Sequence, residues 1–437
     1  MFERRFTLVS SAFILLCLVA AVPATASDSF QVETGYQDGF YLRSTDPNGP
    51  MLKFGGSIWA EYHYYGEKDR ADNRFDIKKA RLRVSGQVIN WLQYYAEYEF
   101  NGSSAEKHMT DVYVDWLVSK PVRLRGGQFK EPFSLEWQTT DRAILFAERS
   151  MGYYLSPHRD VGLMAAGGFY KDMFNFGAGV FNGNGEDGST RGSYHDEPEL
   201  TARLVIKPFA ATSINALKQF QIGASGSTKK IDASTINLQV KSTGMVGTSL
   251  NVYVLNANTK FGVIQEADLR QRYGLEAAWA MGPFAVSGEY THLEFTGLKP
   301  ANSRAMNAIF YSWYAAAAWC ITGEPISLTG GVVNIIVPSR PFKPSAGTYG
   351  AFALALRTDH FIGDPDWIKD GENISSRRAD AFSAALNWFL LPQHRVLLEY
   401  TYTSLSDPIK VRVNPVDGSI DYIDKESTAT LRYCLDF

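Results

Sequence analysis

The stretch Lys53-Phe54-Gly55-Gly56-Ser57-Ile58-Trp59-Ala60-Glu61-Tyr62-His63-Tyr64 decides the fold. Phe54, Gly56, Ile58, Ala60, Tyr62 and Tyr64 form one set, apolar and ending in aromatics, while the interleaved set is mostly small or polar. A strand sends successive side chains to opposite faces, so the segment reads as extended chain with one apolar face. The same alternation returns at Ala80/Leu82/Val84/Gly86/Val88 against Lys79/Arg81/Arg83/Ser85/Gln87. It returns at Leu92/Tyr94/Ala96/Tyr98/Phe100 against Gln93, Tyr95, Glu97 and Glu99, and at Val112/Val114/Trp116/Val118 against Asp111, Tyr113 and Asp115. Later runs begin at Leu200, Leu250, Tyr273, Phe284, Phe382 and Val396.

A half-buried sheet in water alternates in the same way, and three features separate the two cases. The apolar faces end in Tyr, Trp or Phe, as an aromatic girdle at a lipid boundary requires. The runs span roughly 9–14 residues, a length suited to tilted membrane-crossing strands. They also persist to the chain's end, Thr430-Leu431-Arg432-Tyr433-Cys434-Leu435-Asp436-Phe437. In hydrocarbon every backbone amide must find a partner within the protein, so such a sheet has to close on itself. The expectation is therefore all-β: a transmembrane antiparallel barrel of about 16 strands (sixteen to eighteen by counting runs), wide enough for a water-filled lumen.

Composition agrees. The 437 residues carry a formal charge of −3 and a mean hydropathy of −0.18, which does not favour nucleic acid as a partner. The one long apolar run, Phe13–Val22, follows Arg4 and Arg5 and precedes Ala24-Thr25-Ala26. This pattern predicts a secretory signal peptide over residues 1–26, with a barrel domain over 27–437 and an outer-membrane location. Leu16 before Cys17 does not suit a lipid-attachment site, and Cys320 and Cys434 are read as isolated thiols. The seven histidines are dispersed, so no metal or cofactor is expected.

One segment breaks the hairpin rhythm. From Lys130 to about His158 alternation stops, and Lys130, Arg142, Arg149 and Arg159 mingle with the anchors Phe133, Leu135, Trp137, Ile144, Leu145 and Phe146. A nonrepeating stretch of this length in a compact fold is usually functional or disordered, and its apolar residues need a surface to pack on. The inner wall of a wide barrel supplies one, so 130–158 is expected to fold inward and narrow the lumen. Stretches 182–197, 228–247, 363–378 and 407–426 read as surface loops; Ser119-Lys120-Pro121 and Leu391-Pro392-Gln393 read as tight turns.

The block Gly126-Gly127-Gln128-Phe129-Lys130-Glu131-Pro132-Phe133-Ser134-Leu135-Glu136, with Asp141-Arg142 and Phe146-Ala147-Glu148-Arg149 behind it, resembles the phosphate-selective porin O and P family. The strands Lys79–Arg83 and Tyr95–Phe100 fit that family's N-terminal part. The resemblance implies a 16-stranded barrel, usually trimeric, whose inward loop makes an anion-selective constriction. It implies that small anions such as phosphate are the solutes, that outer-membrane lipid surrounds the barrel, and that the terminal Phe437 is presented to the barrel assembly machinery. It places Lys130 and Arg142 at the narrowing; Lys79, Arg81, Arg83, Arg149 and Arg159 join them as candidates for the anion pathway. No dense ladder of inward arginines is visible, and Glu97, Glu99, Asp111 and Asp115 supply acidic neighbours. Cross-strand pairing of these charges and a selective pathway therefore both remain open, as does a general porin. An enzyme is not expected: no nucleophile elbow or clustered Ser/His set stands out. A barrel enzyme or a surface adhesin is the remaining class.

Overall fold

A computed structural model describes residues 31–66, 72–101, 109–185, 197–248, 250–369, 373–413 and 418–437. The expected leader, 1–26, lies outside the described residues, as does most of the 182–197 loop.

Sixteen antiparallel strands close into one barrel. In chain order they are β1 (Met51–Tyr65), β2 (Arg74–Ile89), β3 (Leu92–Glu99), β4 (Met109–Ser119), β5 (Val122–Lys130), β6 (Arg159–Phe169), β7 (Phe174–Phe181) and β8 (Glu199–Ile206). The second half comprises β9 (Gln221–Lys230), β10 (Leu269–Met281), β11 (Phe284–Pro300), β12 (Met306–Cys320), β13 (Ala351–Ile362), β14 (Arg378–Leu391), β15 (His394–Val413) and β16 (Ile420–Asp436). Each strand pairs with the next, and β16 returns to β1 in the register Thr428↔Tyr65 to Asp436↔Ser57. Because β16 stops opposite Ser57, the first residues of β1 would be left with a bare edge. A hairpin of Val32–Tyr36 and Phe40–Ser44 covers it, pairing Phe40↔Phe54 through Arg43↔Met51.

The alternation predicted from the sequence sets the faces. Phe54, Ile58, Leu82, Leu163, Leu200, Leu275, Leu398 and Tyr400 are exposed on the outside, where lipid covers them. Glu61, Lys79, Glu97, Asp115, Arg203, Arg357, Glu399 and Arg432 are buried on the inside. Two glycine positions are dictated by close approach, one of backbone and one of a side chain. Gly127 sits at φ 134° within β5, and a Cβ there would lie 2.2 Å from the Val112 carbonyl oxygen. Gly274 makes room for the Phe133 ring, which would stand 3.1 Å from an added Cβ.

Three corrections follow. Leu250, Val252 and Val254 do not belong to a barrel strand: Tyr253–Asn256 pairs with Asn237–Val240 in a separate hairpin. That hairpin belongs to a connection running from 231 to 268, longer than the expected 228–247 because the next wall strand begins only at Leu269. It enters the loop end of the barrel, where Leu238, Val240, Val252, Tyr253 and Leu255 pack on Leu293, Phe295, Phe310 and Phe361. The expected 407–426 loop is mostly strand, since β15 runs to Val413 and β16 starts at Ile420. The region 325–340, uncertain from sequence, lies in the β12–β13 connection at the opposite, turn end. Its Ile326 and Ile336 pack with Leu145 and Phe146, and its Leu328 packs with Leu135.

Candidate functional site

The segment joining β5 to β6 runs inside the barrel between these two insertions. A chain in that position has main-chain donors and acceptors that must be satisfied, and inward side chains of the far wall do it. Ser134, at φ 61°, caps the short helix Leu135–Gln138 by accepting from the Trp137 N–H at 3.1 Å. Glu289 of β11 accepts from the N–H groups of Leu135 at 2.9 Å and Glu136 at 2.6 Å. Asp359 of β13 accepts from Met151 N–H at 2.8 Å, and Glu399 of β15 accepts from Ala147 N–H at 2.6 Å. Asn387 of β14 donates to the Leu145 carbonyl at 2.9 Å, and Arg395 of β15 to that of Ile144 at 2.6 Å. Arg357 of β13 binds the Glu136 carboxylate and the Glu148 carbonyl, both at 3.0 Å.

These latches come from β11 and β13–β15, so that side of the lumen is filled. The inward residues of β2–β6 face the loop's other flank and carry most of the candidate site. The register shift between β1 and β2 leaves Lys78 as an extra residue opposite the Trp59–Ala60 step. Such a bulge re-aims side chains, and here two consecutive lysines turn inward. Lys78 reaches Glu148 and Lys79 reaches Asp141, with the Lys79 ammonium 4.0 Å from the centre of the Trp59 ring. Arg81 meets Glu97 at 3.0 Å, Glu99 at 2.6 Å and Asp141 at 3.8 Å. Arg149 donates to Asp141 at 2.6 Å and Arg159 to Asp111 at 3.0 Å. Lys130 donates to the carbonyls of Trp137 at 2.7 Å and Thr139 at 3.4 Å. Asp141 is the hub of this cluster. Burial alone raises a carboxyl, but Lys79 and Arg149 outweigh it and hold Asp141 well below the ordinary carboxylate range.

The structure thus brings together Lys79, Arg81, Lys130, Arg149 and Arg159. Arg142 and Arg83 are placed elsewhere. Arg142 stands at the turn end, 2.5 Å from Asp38 of the N-terminal hairpin, 3.6 Å from Asp436 and 3.2 Å from the Pro392 carbonyl. The expected meeting of Lys130 with Arg142 does not occur: Lys130 bonds to the Trp137 and Thr139 carbonyls, while Arg142 is drawn to the carboxylates of Asp38 and Asp436. Arg83 donates to the Phe437 main-chain oxygen at 3.3 Å. Sequence reading passed over Arg123 and Arg125. Arg125 makes a two-pronged pair with Asp115, both bonds 2.7 Å, over the Tyr113 ring at 3.6 Å. Arg123 keeps 44% of its side chain exposed, 3.9 Å from the same carboxylate. Their odd-numbered spacing on β5, in phase with Gly127, was the available signal.

A model of the phosphate-selective porin O and P family matches residues 52–413. The chain belongs to that family. It is an outer-membrane porin, a channel-forming barrel. It is similar to Porin O of Pseudomonas aeruginosa, 22% identical over 413 residues that cover 87% of this chain and 90% of that one. Among solved structures, in-vitro folded OmpT of Vibrio cholerae in its trimer form matches with a TM-score of 0.54 at 11% identity, covering 89% of this chain and 100% of that one. Pseudomonas putida OprB matches at TM-score 0.54 and 9% identity, over 88% and 94% of the two chains. At such identities the structures speak for the shared fold.

Proposed function

We propose that this porin passes small hydrophilic anions, phosphate among them, through a narrowing between the 131–158 loop and the wall of β2–β6. The observation that carries the reading is the one-sidedness of the lumen. The loop and the two insertions fill the β10–β15 side, and the other flank gathers Lys79, Arg81, Arg83, Arg123, Arg125, Lys130, Arg149 and Arg159 against Glu97, Glu99, Asp111, Asp115 and Asp141. An anion leaving bulk water needs replacement donors and positive charge; guanidinium forks and ammonium groups supply both, and a low-dielectric wall strengthens them. The carboxylates hold the basic side chains extended in place and temper the field. Their number favours a second reading, a general porin with weak anion preference.

The loop end is then extracellular and the turn end periplasmic. Export with removal of residues 1–26, recognition of the Phe437 strand by the assembly machinery, and a homotrimer in outer-membrane lipid complete the proposal. The test is the reversal potential of purified protein in a planar bilayer across a potassium chloride gradient, repeated with phosphate replacing chloride. Anion preference that falls on Arg81→Gln supports the reading; a neutral or cation-selective wild type refutes it.

A further inference from the structure

Three of the cluster's cations share one aromatic ring. The Lys130 Nζ lies 4.6 Å from the centroid of Trp137, and the guanidinium carbons of Arg149 and Arg159 each lie 5.2 Å from it. Arg149 and Arg159 also have carboxylate partners, Asp141 and Asp111. Lys130 bonds to main-chain carbonyls, and the ring is a further electron-rich group at its ammonium. Like charges gathered this closely repel, and the negative face of an indole offsets part of that repulsion.

The ring is fixed for this purpose. Its main-chain N–H is capped by Ser134 and its carbonyl accepts from Lys130. Tyr153 and His158, stacked on each other at 4.2 Å, flank it at 5.4 Å each. Trp137 is 2% exposed, yet its indole N–H has no hydrogen-bond partner among the described residues. A buried tryptophan normally satisfies that group. Its orientation is therefore set by the faces of the ring and not by the polar edge.

We propose that Trp137 is the positioning residue of the constriction, holding Lys130, Arg149 and Arg159 at the passage through cation–π contacts. This rests on the anion-passage reading above. Trp137 acts through the three cations and does not itself touch the solute.

The test uses the full-length protein in planar bilayers, with the chloride-to-potassium permeability ratio as readout. Trp137→Phe keeps a π face and is expected to stay within about twofold of wild type, whereas Trp137→Leu is expected to lose about fivefold or more. Leucine also changes packing, so a shape-preserving series decides the matter: mono-, di- and trifluorinated tryptophan placed at position 137 alone. Fluorine withdraws density from the ring face while leaving contacts in place, and the ratio should fall stepwise along the series. A merely structural role leaves it flat. A wild type without anion preference overturns the passage reading, and this inference with it. An anion-selective wild type whose ratio is unchanged across the series overturns this inference alone.

Discussion

Replacing Asp141 by Asn removes one negative charge from the centre of the basic cluster while keeping the side chain's shape. The carboxylate contacts Lys79, lies 2.6 Å from Arg149 and 3.8 Å from Arg81, and keeps 22% of its side chain exposed. A unit charge about 5 Å from a passing ion is worth about 0.8 kcal/mol in bulk water and about 3 kcal/mol at an effective dielectric of about 20. Partial exposure places Asp141 nearer the watery limit, where each ion shifts about fourfold in opposite senses, so the anion-to-cation permeability ratio should rise about fifteenfold. Folding should weaken, by about 1–3 kcal/mol, below the cost of breaking a fully buried pair because water reaches this one. The carboxyl is held below its ordinary range. Its stabilising contribution is therefore fully present above the unfolded value of about 3.9 and is lost as pH falls through the lower folded value. Between pH 5 and 8 the gap between wild type and variant should stay constant. Reversal potentials at about 0.1 M and about 1 M salt provide the assay, and the gap should shrink at the higher concentration as screening shortens the field. An unchanged or reduced anion preference at low salt would show that Asp141 does not face the ion path.

Other perturbations address separate parts of the structure. Arg142→Glu should shift the permeability ratio less than twofold, since Arg142 is engaged at the rim by Asp38 and Asp436; a shift comparable to that of Asp141→Asn would return it to the passage. Glu289→Gln weakens the two N–H bonds at Leu135 and Glu136, and single-channel records should show a noisier and larger conductance. Gly127→Ala forces a Cβ onto the Val112 carbonyl at a φ that costs about 1–3 kcal/mol by itself; the folded band in a heat-modifiability gel should be largely lost. Leu398→Lys puts a charge on the lipid face and should cost about 2–4 kcal/mol near the mid-bilayer in denaturant titration, whereas Thr401→Lys on the inner face of the same strand tests the register by failing at packing instead.

The barrel was legible because period-two alternation is a local property, and the outward set of Leu82, Leu398 and Tyr400 could be read without knowing the partners of each strand. The inward turn of the β5–β6 segment was legible for a related reason: apolar anchors in a stretch without alternation need something to pack on. The destination of each basic residue was not legible. Whether Arg142 meets Lys130 or Asp38 depends on where the chain crosses the lumen, and that is set by partners such as Glu289, Asn387 and Arg395, more than 100 residues further along. The two insertions left a trace that was missed. Ala351, Ala353 and Ala355, and likewise Ala379, Ala381 and Ala385, are apolar where an open lumen wants polar groups, alternating with outward Phe352, Leu354 and Phe382. Strands apolar at both parities are covered on both faces, here by lipid outside and by the insertions inside. The Leu250/Val252/Val254 run was misread because a hairpin inside a lumen alternates just as a wall strand does.

The latches of the 131–158 loop also bear on time. Arg395 reaches the Arg142 carbonyl across 253 residues, and Arg432 reaches Glu148 across 284. The loop is synthesised well before the strands that hold it, and until they arrive its main chain has only water to bond. The loop hangs from the rim where Lys130 pairs with Arg159, and its far-wall partners lie on β11 and β13–β16, most of them among the last strands to be made. Contacts this distant in sequence are slow to form, which places docking of the loop late in folding. The strands that close the wall are thus also the ones that hold the lumen's inner segment in place, so one stretch of chain serves both the shell and its contents.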